Sequence, residues 1–255
     1  MRESRVARTG RAVGAALAAV LVLGGCATAD RPAGGTAGGT AGESAYRCWE
    51  TVVPDDVLES GVTADRLSEE GRAALDGLEV PPIDPAEWTV VEDGAERVAL
   101  LRALDQPEDL GAGDVRTHEM LVVEWVDATD VDPVPTWSLT AAQTCALRAD
   151  LGGLGTATLT LDPEHPPAPD AREIHLLVTE MACNSGQDAE GRVRVVNLGA
   201  RDDAVAVTVG VEPRDGAADC QGNPATPYVV DLDEPLGDRP VLDASVHPAR
   251  EVVLP

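Results

Sequence analysis

Four histidines, His118, His165, His175 and His247, are the only imidazoles available for acid–base or metal chemistry. The sharpest catalytic pairing sets Cys183 as a thiolate nucleophile against His175 as its base, with the amides of Asn184, Ser185 and Gly186 as anion donors. Spacing works against it, because residues eight apart on a strand stand roughly 26 Å apart and the chain would have to reverse between them. Ser185 sits in Cys-Asn-Ser-Gly-Gln and lacks the leading glycine of a Gly-x-Ser-x-Gly elbow. Three acidic turns could offer oxygen ligands to a hard cation: Asp127, Asp130 and Asp132; Asp162, Glu164, His165 and Asp170; and Asp231, Asp233, Glu234 and Asp238. None follows the EF-hand loop, and acidic turns are ordinary in a chain with 45 Asp and Glu. Arg192, Arg194 and Arg201 could hold an anion, although ion pairing with surplus carboxylates explains them more simply. Trp49, Trp88, Trp125 and Trp137 could line a carbohydrate groove; in a chain without Phe they are also the large rings a core needs, and at least three are expected to be structural. No catalytic, cofactor or metal set is assigned on these residues.

Cys26 is of another kind. Arg2, Arg5, Arg8 and Arg11 precede the apolar run 12–23, which leads into Leu23-Gly24-Gly25-Cys26. This order resembles the signal and lipobox of bacterial prolipoproteins. The resemblance implies that Cys26 is diacylated, becomes the N-terminus on cleavage and makes the membrane a partner through its lipid. The apolar run is too short to span a bilayer, which takes about 20 residues. Residues 1–25 are then a signal peptide, and 26–45 carry the lipid and a Gly/Ala/Thr-rich tether without apolar periodicity, expected to be disordered. Such a tether holds the folded part roughly 25 Å from the lipid, on the extracytoplasmic face of the cell membrane.

The chain has nineteen Arg but no Lys, a bias that follows codon composition in a GC-rich genome and, with the lipobox, suggests an actinobacterium. Losing residues 1–25 removes four Arg and one Glu, leaving 15 cations against 44 acids, a net charge of −29. Such a surface repels nucleic acid, which is excluded as a partner, and solubility accounts for its acidity most simply. The remaining cysteines, Cys48, Cys145, Cys183 and Cys220, read as two disulfides in an oxidising compartment, with three possible connectivities. Cys48 with Cys145 and Cys183 with Cys220 is favoured because each bridge then stays within one half of the chain. No Cys or His cluster has zinc spacing.

The elements that must position these residues are mostly strands. Thr63 to Leu75 is the one helix expected, with Thr63 as N-cap and Gly71 costing about 1 kcal/mol against Ala. Strands are expected at Trp88–Val91, Arg97–Leu104 (whose residues would also suit a helix), His118–Val126 and Thr136–Thr140, with a turn at Asp127–Pro135. In the second half, Thr156–Leu161 alternates, Glu173–Ala182 is nearly continuously apolar, as a strand covered on both faces would be, and Val205, Val207, Val209 and Val211 recur at period two. Strands are also expected at Arg192–Val196, Tyr228–Leu232 and Pro240–Ala244. Regular short strands with Gly/Pro turns argue for a mainly β fold, an antiparallel sandwich of broadly immunoglobulin-like architecture with one short helix near its start. Residues 46–154 form an N-terminal β-rich part and 155–255 a C-terminal sandwich, or the two run on as one domain.

The stretches Glu180-Met-Ala-Cys-Asn-Ser-Gly-Gln, Cys220-Gln-Gly-Asn-Pro-Ala-Thr-Pro and Leu232-Asp-Glu-Pro-Leu-Gly-Asp-Arg239 resemble a functionally uncharacterised family of actinobacterial secreted or lipid-anchored proteins, over roughly residues 86–255. The resemblance implies one architecture across that span and carries no site residues. The function expected is that of a lipid-anchored, non-enzymatic envelope domain that binds a protein or wall component. The alternatives are a metal-assisted envelope hydrolase using carboxylates and His165, and a purely structural spacer.

Overall fold

The computed structural model describes residues 45–111, 113–127 and 134–255. The expected signal peptide, Cys26, the tether up to residue 44 and two of the acidic-turn residues, Asp130 and Asp132, lie outside them; Ala45, expected in the tether, begins the first strand. In chain order come β1 (Ala45–Cys48), β2 (Thr51–Pro54), α1 (Asp55–Ser60), α2 (Glu69–Leu75), β3 (Thr89–Asp93), β4 (Arg97–Asp109), β5 (Val115–Val126), β6 (Thr136–Cys145) and β7 (Leu147–Ala149). They are followed by β8 (Ala157–Leu161), β9 (Glu173–Glu180), β10 (Val193–Ala200), β11 (Val205–Val211), β12 (Thr226–Asp231), β13 (Val241–Asp243), β14 (Val246–His247) and β15 (Arg250–Glu251). The strands form four sheets, ordered β14-β7-β1-β2, β3-β4-β5-β6, β12-β9-β8 and β10-β11-β13-β15. The fold is mainly β, as expected, and its named strands pair antiparallel except for β11 with β13, which run parallel.

The centre of the β3–β6 sheet is buried on both faces, which is why β4 and β5 carry continuous apolar runs at Val98–Leu101 and Met120–Val123 where a one-sided strand would alternate. Val98, Leu100, Leu121 and Val123 face α2 and its approach, against Ala64, Leu67, Ala74, Trp88 and Trp137. Ala99, Leu101, Met120 and Val122 face the β14-β7-β1-β2 sheet, against Val53, Leu147 and the half-cystines Cys48 and Cys145. The ambiguous run from Arg97 is therefore a strand, paired with both β3 and β5.

The helix is shorter than expected. A 3-10 turn at Ala64–Arg66 precedes it, and α2 starts only at Glu69, with Ser68 rather than Thr63 as its cap. The Ser68 Oγ accepts from the Gly71 amide at 2.9 Å and donates to Asp93 Oδ1 at 2.7 Å, while the Ser68 amide donates to Asp93 Oδ2 at 2.7 Å. Asp93, at the end of β3, thus sets where the helix can begin. A second helix, α1, was not evident in the sequence; it follows Pro54 with Asp55 and Asp56 in its first turn and ends at Gly61, whose φ of 58° suits glycine.

The C-terminal sandwich closes over one aliphatic core. Ala157 and Leu159 of β8, Ile174, Leu176 and Val178 of β9 and Val230 of β12 meet the four valines of β11, with Val193 and Val241. One expectation needs correction: β9 is covered on one face only, since Ile174, Leu176, Val178 and Glu180 are buried while His175, Leu177 and Thr179 are partly exposed. Its other set looks outward because, although β9 is the central strand between β12 and β8, that face of the sheet stays partly open to solvent. The reverse holds for β11, whose second face is also covered. A Cβ on Gly210 would stand 2.8 Å from that of Leu154, so glycine lets the segment after β7 lie directly on the strand.

Two disulfides staple the fold in the within-half arrangement. Cys48–Cys145, with Cα atoms 5.6 Å apart, ties β1 to the end of β6 in the core. Cys183–Cys220, with Cα atoms 4.4 Å apart, closes exposed loops beyond β9 and before β12. Loop-closure entropy makes such bridges worth about 4 to 5 kcal/mol each before strain. The halves are also joined through the backbone: Val246 and His247 of β14 pair with Arg148 and Leu147 of β7, although β13 and β15 on either side belong to the C-terminal sandwich. The described residues fall within one unit.

Candidate functional site

A cavity of about 630 Å3 opens where β1, the start of β5, the β6–β7 corner and residues 150–156 meet Met181. That volume lies within the range of small-molecule sites. Arg47, Arg116 and Arg148 converge on it with Asp114 and Asp150, and Trp49, Leu151, Leu154 and Met181 add apolar wall. The fold forces this gathering of cations. Arg47 of β1 lies directly opposite Arg148 of β7 in the ladder, a like-charge placement that costs stability unless an anion intervenes.

The internal anions only partly answer that charge. Arg47 is well paired, with Nε and Nη2 both 3.0 Å from Asp150 Oδ2. Asp114 is shared: Arg116 Nε and Arg148 Nη2 each stand 3.5 Å from one of its oxygens, well beyond the 2.7–2.9 Å of a charge-assisted hydrogen bond. Among the described residues, the Arg116 Nε is buried with no hydrogen-bond partner. Its Nη1 reaches Thr144 Oγ1 at 3.2 Å, and its guanidinium lies 5.4 Å from the centre of the Trp49 ring, within cation–π range. Trp49 has a φ of 55°, donates from Nε1 to the Thr144 carbonyl at 3.1 Å, and leaves its ring 50% exposed beside the opening. Burial pulls the Arg148 pKa down and Asp114 pulls it back; a guanidinium stays charged regardless. The arrangement suits a carboxylate or phosphate held by Arg116 and Arg148, with an apolar portion against Trp49, Leu151 and Met181.

The residues singled out in the sequence fare differently. Cys183 is bonded to Cys220, so it offers no thiolate, and the Ser185 hydroxyl accepts from the Asp219 amide at 2.9 Å in a backbone brace. Arg192 forms a two-pronged pair with Glu180, which is 4% exposed, and Arg194 pairs with Glu212 at 2.9 Å. That hydrogen bonding raises the Arg192 pKa. Ion pairing is the role of both. Trp88 and Trp137 are buried, whereas Trp49 and Trp125 are 50% and 41% exposed, so two tryptophans rather than three lie in the core. Trp125 packs edge-on against Trp137 at 5.6 Å, and Trp49 belongs to the cavity. Glu234 and Asp238 line an open acidic cavity beside which Arg239 bonds the Leu236 and Pro235 carbonyls, and Arg172 bonds the Asp233 carbonyl.

The second acidic turn is more ordered than its sequence suggests. Asp162 follows β8 directly and donates from its amide to the His175 carbonyl of β9 at 3.0 Å. The chain then turns so that His165 Nδ1 donates to Asp162 Oδ2 at 3.0 Å, while the Glu164 amide donates to Asp162 Oδ1 at 2.9 Å. The His165 and His175 rings stack with centroids 4.7 Å apart. The hydrogen bond from His165, then that from Glu164, holds the Asp162 pKa below its ordinary value. Glu164 contributes only its backbone and Asp170 is turned to solvent.

The arginine cavity had no local signal in the sequence, because its three cations come from strands far apart in the chain. Comparison with known proteins adds no assignment to this geometry: no family model, curated protein or solved structure is significantly similar to the chain.

Proposed function

We propose that the protein is a lipid-anchored binding protein of the cell envelope whose arginine-lined cavity takes an amphipathic anion, the acidic group of an envelope component. The observation that carries the reading is that Arg116 and Arg148 share the one carboxylate of Asp114, each at 3.5 Å, beside the paired Arg47, in a chain where 45 acidic residues outnumber 19 basic ones. With carboxylates so abundant, an under-neutralised cluster of arginines inside a cavity is best explained by an external anion. The lining contains cations, an exposed indole and aliphatic side chains but neither histidine nor free thiol, which favours holding a ligand over cleaving it. Leu23-Gly24-Gly25-Cys26 supports the anchor.

The test uses the Cys26→Ser chain, which this reading places in the soluble fraction rather than with membranes. Its tryptophan fluorescence, to which Trp49 contributes, is titrated with octyl phosphate, octanoate and inorganic phosphate. Saturable binding of the amphipathic anions, weakened tenfold or more in Arg116→Gln and Arg148→Gln, is the expected result. Equal affinity in folded variants, or no binding by the folded parent, would overturn it.

A further inference from the structure

The outer face of the β12-β9-β8 sheet carries a second constellation, remote in sequence and chemistry from the arginine cavity. Among the described residues, Asp162, His165 and His175 are the one group of three or more His, Cys, Asp or Glu side chains whose ligand atoms all lie within 4.8 Å of one another. We propose that these three residues form a binding site for a divalent transition metal of the zinc class, with the remaining coordination positions open to water or an external ligand.

Three features carry the inference. First, the backbone fixes the carboxylate. Asp162 is 8% exposed, its amide is tied to the His175 carbonyl, and the Glu164 amide occupies Oδ1, leaving Oδ2 turned towards the rings. Second, the ligand spacing is nearly that of a loaded site. Bonds of 2.0–2.1 Å to a tetrahedral metal put ligand atoms about 3.3 Å apart. The His165 Nδ1 to Asp162 Oδ2 separation is already 3.0 Å, and a small rotation of the largely exposed His165 ring would draw the set together. Third, the donors select the metal. Two imidazoles and one carboxylate suit zinc and its neighbours, whereas calcium and magnesium prefer all-oxygen shells. Glu173, with Oε2 3.5 Å from His175 Nε2, stands where it can orient that ring or supply a further oxygen. Beside the histidines a shallow cavity of about 370 Å3, walled by Pro166, Pro167 and Arg172, leaves room for an external ligand on the metal.

The acidity of the chain gives a divalent cation many weak alternatives, so the experiment must separate imidazole ligation from carboxylate attraction. Zn2+ is titrated calorimetrically into the full chain carrying Cys26→Ser, in an excess of Mg2+ that occupies carboxylate sites. Co2+ is added in parallel and its visible spectrum recorded. One equivalent of Zn2+ should bind, Co2+ should show the intense visible bands of a four- or five-coordinate nitrogen-containing site, and His165→Ala and His175→Gln should each weaken Zn2+ binding tenfold or more and abolish those bands. His165 lies on an exposed turn, so its variant keeps the fold, which circular dichroism verifies. The proposal is overturned if the folded parent binds no Zn2+ under Mg2+, or if both variants bind it as the parent does.

Discussion

His118 is held in surroundings that disfavour its charged form. It lies buried between β5 and the β14-β7-β1-β2 sheet, with its Nδ1 2.9 Å from the Thr117 hydroxyl and the His247 ring 6.1 Å away. Burial, reinforced by the like charge of His247, lowers its pKa from 6.5 to about 4. Because the folded pKa lies below the unfolded one, the unfolded chain takes up the proton first as the solution is acidified. Stability is therefore full above about pH 6.5 and falls as the pH drops towards 4, by on the order of 2 to 3 kcal/mol once partial solvent contact is allowed for. Replacing His118 with Gln should flatten that part of the curve, measured as urea midpoints at pH 7, 5.5 and 4; an unchanged slope would show that His118 does not drive it. Residues of this kind also mark the limit of what the sequence discloses. His118 looked like any of four imidazoles, and Arg47, Arg116 and Arg148 looked like ordinary cations, because burial and convergence come from strands paired across long stretches of chain. Asp162 and His165 were recognisable together, three residues apart, whereas His175 joins them only through the β8–β9 pairing.

Elements were more legible where one physical signal dominated. The alternation in β8 and the valines of β11 announce their strands, and the even cysteine count announces two bridges, of which one forms within each half. Where two signals competed, the tertiary one prevailed. Local capping preferences placed the helix start at Thr63, but Asp93 reaches from β3 to hold Ser68, and α2 begins there. Gly71 shows the same competition in energetic form. By propensity alone, Gly71→Ala in a helix gains about 1 kcal/mol. Here the new Cβ would stand 2.3 Å from Asp93 Oδ1, an atom already committed to the Ser68 hydroxyl. Displacing that carboxylate costs typically 1 to 3 kcal/mol in overpacking and also loosens the cap. The variant is expected to be less stable than the parent by about 1 kcal/mol, read from its chemical denaturation midpoint. A more stable variant would mean that Asp93 moves aside freely.

On the scale of the molecule, the β14 segment decides how the halves behave. It leaves the C-terminal sandwich after β13, adds an outer strand to a sheet made of residues 45–149, and returns as β15. Ser245 reinforces the crossing: its hydroxyl accepts from the Val209 amide at 3.1 Å, and its carbonyl accepts from the Ala149 amide at 2.9 Å. The four tryptophans all lie between positions 49 and 137, so their fluorescence reports the first half, while far-ultraviolet circular dichroism reports both. The two signals should follow one coincident thermal transition; separate transitions would mean that the crossing strand does not couple the halves. Sequence patterning suggested either two parts or one continuous domain, because the two residues of β14 are too short a run to show which sheet they join. The crossing also has an evolutionary side. A recombination event that moved residues 46–154 alone into another protein would deliver a sheet with one rim of backbone amides and carbonyls laid bare, an invitation to aggregation. The halves are thus poor modules for shuffling, and lineages that keep this architecture are expected to inherit both together.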